Sequence, residues 1–92
     1  LMEVAPSPVV ALNRAVAVAM RDGPLEGLEL LNDLGADSRL ARHHLFHAAR
    51  AELLRRLDRR EEAVAAYRRA LNLPQNQPER RYLQRRIAEL TT

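Results

Sequence analysis

Residues 55–71, RRLDRREEAVAAYRRAL, set six arginines and three acids around a thin line of alanines and larger apolar residues. As one continuous helix this stretch would be a basic rod suited to nucleic acid. As two helices meeting at a turn it would be one packed unit of a repeat. The order of residues favours the second reading. Leu57-Asp58-Arg59 interrupts the pattern. Beyond it, Glu61 and Glu62 stand in a first turn and Arg68 and Arg69 in a last turn, which complements the helix dipole. Ala63, Val64, Tyr67, Ala70 and Leu71 then share one face, the stripe such a helix buries. Because the turn divides the arginines, they cannot line one groove-reading helix.

Working outward, Pro and Gly punctuate the rest of the chain. Ser7 is a candidate N-cap with Pro8 at the first helical position, so a helix runs from Pro8 to Arg21 and stops near Gly23, which can take the left-handed conformation. Before its last turn only Asn13 and Arg14 are polar, and a helix apolar nearly all round is normally buried between neighbours. Pro24 starts a second helix of about three turns, with Leu25, Leu28, Leu31 and Leu34 spaced three apart, ending at Gly35. Asp37 or Ser38 caps the longest expected helix, RLARHHLFHAARAELLRRL, read as unbroken. On it Leu40, Leu45 or His44, Ala48, Ala51 and Leu54 share a face, and Glu52 precedes Arg55 and Arg56 at ion-pair spacing. PQNQ (74–77) is a loop, and Pro78 starts a last helix with a narrow stripe of Tyr82, Leu83, Ile87 and Leu90 opposite an arginine-rich face. The helix pairs span about residues 8–35 and 39–73, with a closing helix at about 78–91, in one all-α domain over residues 1–92.

Sliding the chain by 36 residues superposes the two pairs. Arg14-Ala15 falls on Arg50-Ala51, Asp22 on Asp58, Glu26 on Glu62, Gly27 on Ala63 and Leu31 on Tyr67. An internal period of this size marks a helical repeat in which each unit buries its face against the next. The second pair resembles a tetratricopeptide repeat, with Ala51, Ala63, Tyr67 and Ala70 in the register of that family's small and aromatic packing positions. His47 stands where the family usually has Trp, Asp58 where Gly is frequent, and the first pair is degenerate, with Gly27 and Leu31 in place of alanine and an aromatic. The resemblance implies a right-handed stack of about five antiparallel helices.

A second resemblance covers nearly the whole chain. Ser7-Pro8-Val9-Val10-Ala11-Leu12-Asn13-Arg14-Ala15-Val16-Ala17, His47-Ala48-Ala49-Arg50-Ala51-Glu52-Leu53-Leu54, Ala66-Tyr67-Arg68-Arg69-Ala70-Leu71 and Pro78-Glu79-Arg80-Arg81 resemble the C-terminal extension of a subgroup of extracytoplasmic-function RNA polymerase sigma factors. It implies the regulatory end of a bacterial transcription initiation factor, with the sigma domains of the same chain and RNA polymerase as partners and DNA reached through the rest of the factor. The opening LMEVAP reads like the tail of an earlier helix. The over-apolar first helix is then expected to have Val9, Val16 or Met20 covered by upstream helices, and a dimer is expected of the piece alone.

Composition narrows the function classes. The chain has no cysteine, which removes disulfides and thiolate chemistry and points to the cytoplasm. No apolar run reaches the roughly 20 residues a membrane span needs. All 15 basic residues are arginine, with four against six acids in residues 1–46 and eleven against six in residues 47–92. That imbalance is the footprint of an anionic partner. Against direct DNA binding stand the nearby acids and the scarcity of aromatics for stacking. Arg55, Arg56, Arg68 and Arg69 therefore have two readings, a solvated helix face or contacts to an acidic protein surface. Asn13 has two readings, a groove-lining side chain that holds a partner's backbone or a core amide bonded to a neighbouring loop. His43 and His47 are four apart, but no third ligand is in reach and His47 sits at a packing position, so no metal and no cofactor are expected. Ser7 and Ser38 are better used as caps than as nucleophiles, no phosphate loop is present, and no enzyme is expected.

Overall fold

The computed structural model describes residues 8–36 and 38–91, so the expected caps Ser7 and Asp37 and the LMEVAP segment lie outside the described residues. Among the described residues the chain is all-helical, with six helices. They are α1 (Pro8–Asp22), α2 (Pro24–Leu34), α3 (Ser38–Ala41), α4 (His44–Arg56), α5 (Arg60–Leu71) and α6 (Gln77–Thr91). The body measures 52 × 30 × 20 Å. The principal packing partners are α1 with α2, α2 with α4, α4 with α5 and α5 with α6.

Two packed helix pairs, α1 with α2 and α4 with α5, carry the core, and each is closed by small residues. Ala15 and Ala19 of α1 meet Gly27 of α2 so closely that a Cβ on Gly27 would lie 2.5 Å from the Ala19 Cβ and 3.0 Å from the Ala15 carbonyl oxygen. One period later Ala51 of α4 and Ala63 of α5 are both fully buried. Beside these contacts sit Leu31 in the first pair and Tyr67 in the second, each wholly enclosed. Full burial of such a side chain is worth about 1.5–3 kcal/mol.

The turns within the pairs differ. Gly23 alone joins α1 to α2 at φ 111 and ψ 158, a mirror-image extended conformation open essentially only to glycine, and not the left-handed helical one expected. At the other turn Asp58 holds φ 62. The Arg59 and Asp58 amides donate to the Leu54 and Arg55 carbonyls at 2.9 and 3.0 Å, the paired bonds that close a helix through a left-handed residue. Aspartate tolerates that conformation better than most residues, which accounts for its standing where glycine is frequent.

The expected long third helix is broken, which corrects both the helix count and the reading of residues 39–57 as continuous. His43 is extended at φ −98 and ψ 126, and its ring Nδ1 accepts the Leu45 amide at 3.2 Å, capping α4. The His43 amide donates to the Leu40 carbonyl at 2.9 Å, and His47 Nε2 donates to the Ala41 carbonyl at 2.7 Å. The two histidines thus satisfy backbone groups that the break exposes. The kink lets both Leu40 and Phe46 enter the core. No Gly or Pro marks the place, so the helical spacing of apolar residues reads straight through it.

α6 starts one residue before Pro78, capped by Asn76, whose side-chain oxygen accepts the Glu79 amide at 2.9 Å. It covers α5 with Leu83, supported by the half-buried Ile87 and Leu90. No helix among the described residues is long and apolar enough to cross a membrane.

Candidate interaction surface

Packing α4 next to α1 leaves a groove of about 220 Å³ between them, lined by Leu12, Asn13, Val16, Leu45, Ala49 and Glu52. Its floor is apolar because positions 12 and 16 of α1, like 45 and 49 of α4, are four residues apart and share one helix face. Asn13 is exposed and stands on the groove wall, outside the core. Its amide offers both a donor and an acceptor to whatever lies in the groove. Val16 and Leu45 are large apolar residues left partly exposed there.

Glu52, at the other wall, is the centre of a polar cluster that sequence spacing did not reveal. Its carboxylate accepts from Tyr67 Oη of α5, from Tyr82 Oη of α6 at 2.8 Å and from Arg55 Nη2 at 3.0 Å, with Arg86 Nε 3.4 Å away. Arg86 Nε also donates to Tyr82 Oη at 3.2 Å and its Nη1 to Glu89 at 3.0 Å. Burial pushes the Glu52 carboxyl up, but the hydrogen bonds from Tyr67, Arg55 and Tyr82 outweigh it and hold the group below the usual glutamate range. Burial and the bond to Glu52 push the Tyr67 phenol well above its usual range, so it stays a donor. Three helices are thereby tied at one half-buried carboxylate.

The expected contact residues do not form one patch. Arg55 is committed to Glu52, in the ion pair expected of that spacing, whereas Arg56, one residue on, is exposed. Arg68 and Arg69 are exposed on the last turn of α5. Arg69 lines a separate cleft of about 360 Å³ together with Asn32, Phe46, Arg50 and Glu62, where Arg50 Nε donates to Asn32 Oδ1 at 3.0 Å. Ala51, Ala63, Tyr67 and Ala70 are all buried. Among the described residues no group of three His, Asp or Glu side chains could hold a metal ion, and His43 and His47 each serve the backbone near the α3–α4 break. The contribution of Tyr82 was hidden because it falls in the apolar stripe of α6, where its ring was counted and its hydroxyl was not.

No family model matches the chain. No solved structure matches it either. The chain is 42% identical over 85 residues to an uncharacterized protein of Rhizobium meliloti (strain 1021), a match that takes in 92% of this chain and 20% of that protein. The chain therefore spans about a fifth of the length of the curated relative it matches.

Proposed function

We propose that the chain is a non-catalytic protein-interaction domain of tetratricopeptide type. In this reading it is a right-handed stack of helix pairs that serves as the regulatory C-terminal domain of an extracytoplasmic-function-type sigma factor in the bacterial cytoplasm. The resemblance of the Ser7–Ala17, His47–Leu54 and Ala66–Leu71 segments to that group supports the class. The observation that carries an interaction role is the open α1–α4 groove, where Asn13 stands beside an apolar floor of Leu12, Val16, Leu45 and Ala49. Such a surface fits apolar side chains of a docked segment whose backbone the Asn13 amide can bond. The partners are the sigma domains of the same chain or RNA polymerase, with exposed Arg56, Arg68 and Arg69 set against acidic protein surfaces. Contact of this kind regulates only by favouring one sigma conformation over another.

The test is made in the full-length factor. Removing residues 8–91, and separately introducing Asn13→Ala with Val16→Asp in the groove, changes transcription from the factor's target promoter. Unchanged activity in both variants would sink the regulatory role. The groove also favours a second reading, a general peptide-binding adaptor without a transcription role, which retains peptide capture while the promoter assay is unaffected. Direct DNA contact would instead show affinity that falls steeply with salt in a shift assay. The commitment of Arg55 and Arg86 to Glu52 weighs against it.

A further inference from the structure

The cleft bounded by α2, α4 and α5 lies apart from the α1–α4 groove and has a chemistry of its own. It opens about 360 Å³ over Phe46, which is 5% exposed, and beside Ala65 and Ala66, whose side chains are too short to fill it. Arg50 of α4 and Arg69 of α5 both line it. Asn32 Oδ1 accepts from Arg50 Nε at 3.0 Å, which fixes that guanidinium and leaves its two terminal nitrogens for another acceptor. Arg21, Arg55 and Arg86 each meet a carboxylate within the chain. Among the described residues no carboxylate pairs with Arg50 or Arg69. Glu62 lines the same cleft from the first turn of α5, seven residues before Arg69. Seven residues are two helical turns, so the acid and the arginine rise from one face of α5 about 10 Å apart. The α5 wall is therefore negative at one end and positive at the other, with Arg50 adding a second positive group from α4.

We infer that this cleft docks an extended segment of a partner protein that carries an acidic and a basic residue three positions apart. The acidic side chain takes the free donors of Arg69 and Arg50, since the guanidinium fork matches a carboxylate. The basic side chain meets Glu62. In a polyproline-type segment residues i and i+3 face the same side about 9 Å apart, which fits the separation of Glu62 and Arg69 along α5. A nucleic-acid backbone is the poorer occupant, because a run of phosphates long enough to reach both ends of the cleft is repelled at Glu62. The inference rests on the reading of the chain as a protein-interaction domain. It adds a charge pattern in the partner that the apolar floor of the α1–α4 groove does not require.

An NMR titration of the isotope-labelled 92-residue chain tests the proposal, with circular dichroism to confirm that each variant is folded. The probe is a blocked peptide of alanine and proline with a glutamate and an arginine three positions apart. It shifts the amides of Asn32, Phe46, Arg50 and Arg69 and saturates. A peptide with arginine at both charged positions does not bind. Arg69→Glu weakens the first peptide by about tenfold or more. Arg69→Glu combined with Glu62→Arg restores binding to the peptide in which the two charges are exchanged. Absence of binding by the first peptide overturns the proposal, as does equal binding by all three peptides. Shifts centred on Asn13, Val16 and Leu45 instead of the cleft overturn it as well. So do shifts of the cleft amides on raising the protein concentration alone, which would make a second copy the occupant, or stronger shifts with a single-stranded oligonucleotide. These readouts are independent of transcription, so their failure leaves the promoter test of the regulatory role standing, and the reverse.

Discussion

The α1–α2 and α4–α5 pairs share a backbone plan and close it by opposite chemistry. In the first, Val16, Ala19 and Leu31 occupy positions that Glu52, Arg55 and Tyr67 occupy 36 residues later. The first pair is dry, with helices drawn together until Gly27 leaves no room for a methyl group. The second encloses a tyrosine ring whose hydroxyl needs a partner, and Glu52 supplies it while Arg55 offsets the charge. A half-buried carboxylate is tolerated there because α6 adds Tyr82 and Arg86 to the same group, satisfying lone pairs that would otherwise be costly to desolvate. The apolar version needs no third helix. The difference teaches that a repeat position specifies volume and depth, and that polarity follows from what the next helix can contribute.

This contrast can be broken by substitution, and the largest effect is expected at the enclosed large residues. Tyr67→Ala should cost about 3–5 kcal/mol and loosen α6 as well, because the Glu52 cluster loses its central donor. Leu31→Ala should cost about 2–5 kcal/mol and leave the packing of α6 unchanged. Urea denaturation gives both costs, and hydrogen exchange along residues 77–91 separates them. Equal protection of α6 in the two variants would mean the cluster does not couple the helices.

Next in size is the close approach itself. Gly27→Ala should destabilise by about 1–3 kcal/mol, because the added Cβ meets the Ala19 Cβ and the Ala15 backbone oxygen. On intrinsic helix propensity alone the same change would stabilise by about 1 kcal/mol, so the sign of the measured shift decides whether the first pair is as tight as described. Ala63→Gly, at the matching position, should cost about 0.5–1 kcal/mol.

The carboxylate gives the second pair a pH dependence seated where three helices meet. The folded pKa of Glu52 lies below the usual glutamate value, so its contribution is present above that value and is lost as pH falls through the lowered one. Glu52→Gln should cost about 1–3 kcal/mol near neutral pH and flatten the acid limb of the stability profile, while Val16→Ala should leave that limb unchanged. At the alkaline end Tyr67 contributes in the opposite sense. Its folded pKa is raised, so stability is lost as pH rises above the ordinary tyrosine range, and Tyr67→Phe should remove that loss.

The two turns of the pairs are expected to respond in opposite senses. Asp58→Gly should raise stability by up to about 1 kcal/mol, since glycine holds φ 62 without the steric cost that aspartate carries. Gly23→Ala should lower it by about 1–3 kcal/mol, because φ 111 with ψ 158 is closed to residues with a Cβ. Thermal unfolding of the two variants should shift in opposite directions.

Local chemistry determined much of this protein by itself. Pro8, Pro24, Gly23 and Gly35 mark helix ends whatever the fold, because proline fixes φ and lacks a donor while glycine admits conformations other residues avoid. Helical stripes put Ala51, Ala63, Tyr67 and Ala70 on apolar faces, the resemblance to a tetratricopeptide repeat made them packing positions, and all four are buried. Of the candidate site, Asn13 was legible as an exception inside an apolar helix, although its spacing left open whether it faced the groove or the core. The break at Arg42-His43 was not legible, since no Gly or Pro marks it, the helical spacing of apolar residues runs straight through it, and the backbone groups that His43 and His47 satisfy are exposed only once the chain bends there. The Glu52 cluster was hidden for a related reason. Tyr67, Tyr82 and Arg86 lie 15, 30 and 34 residues from Glu52, on two other helices. Helical periodicity describes which face each residue occupies, and only the packing of α4, α5 and α6 decides that those faces converge on one carboxylate.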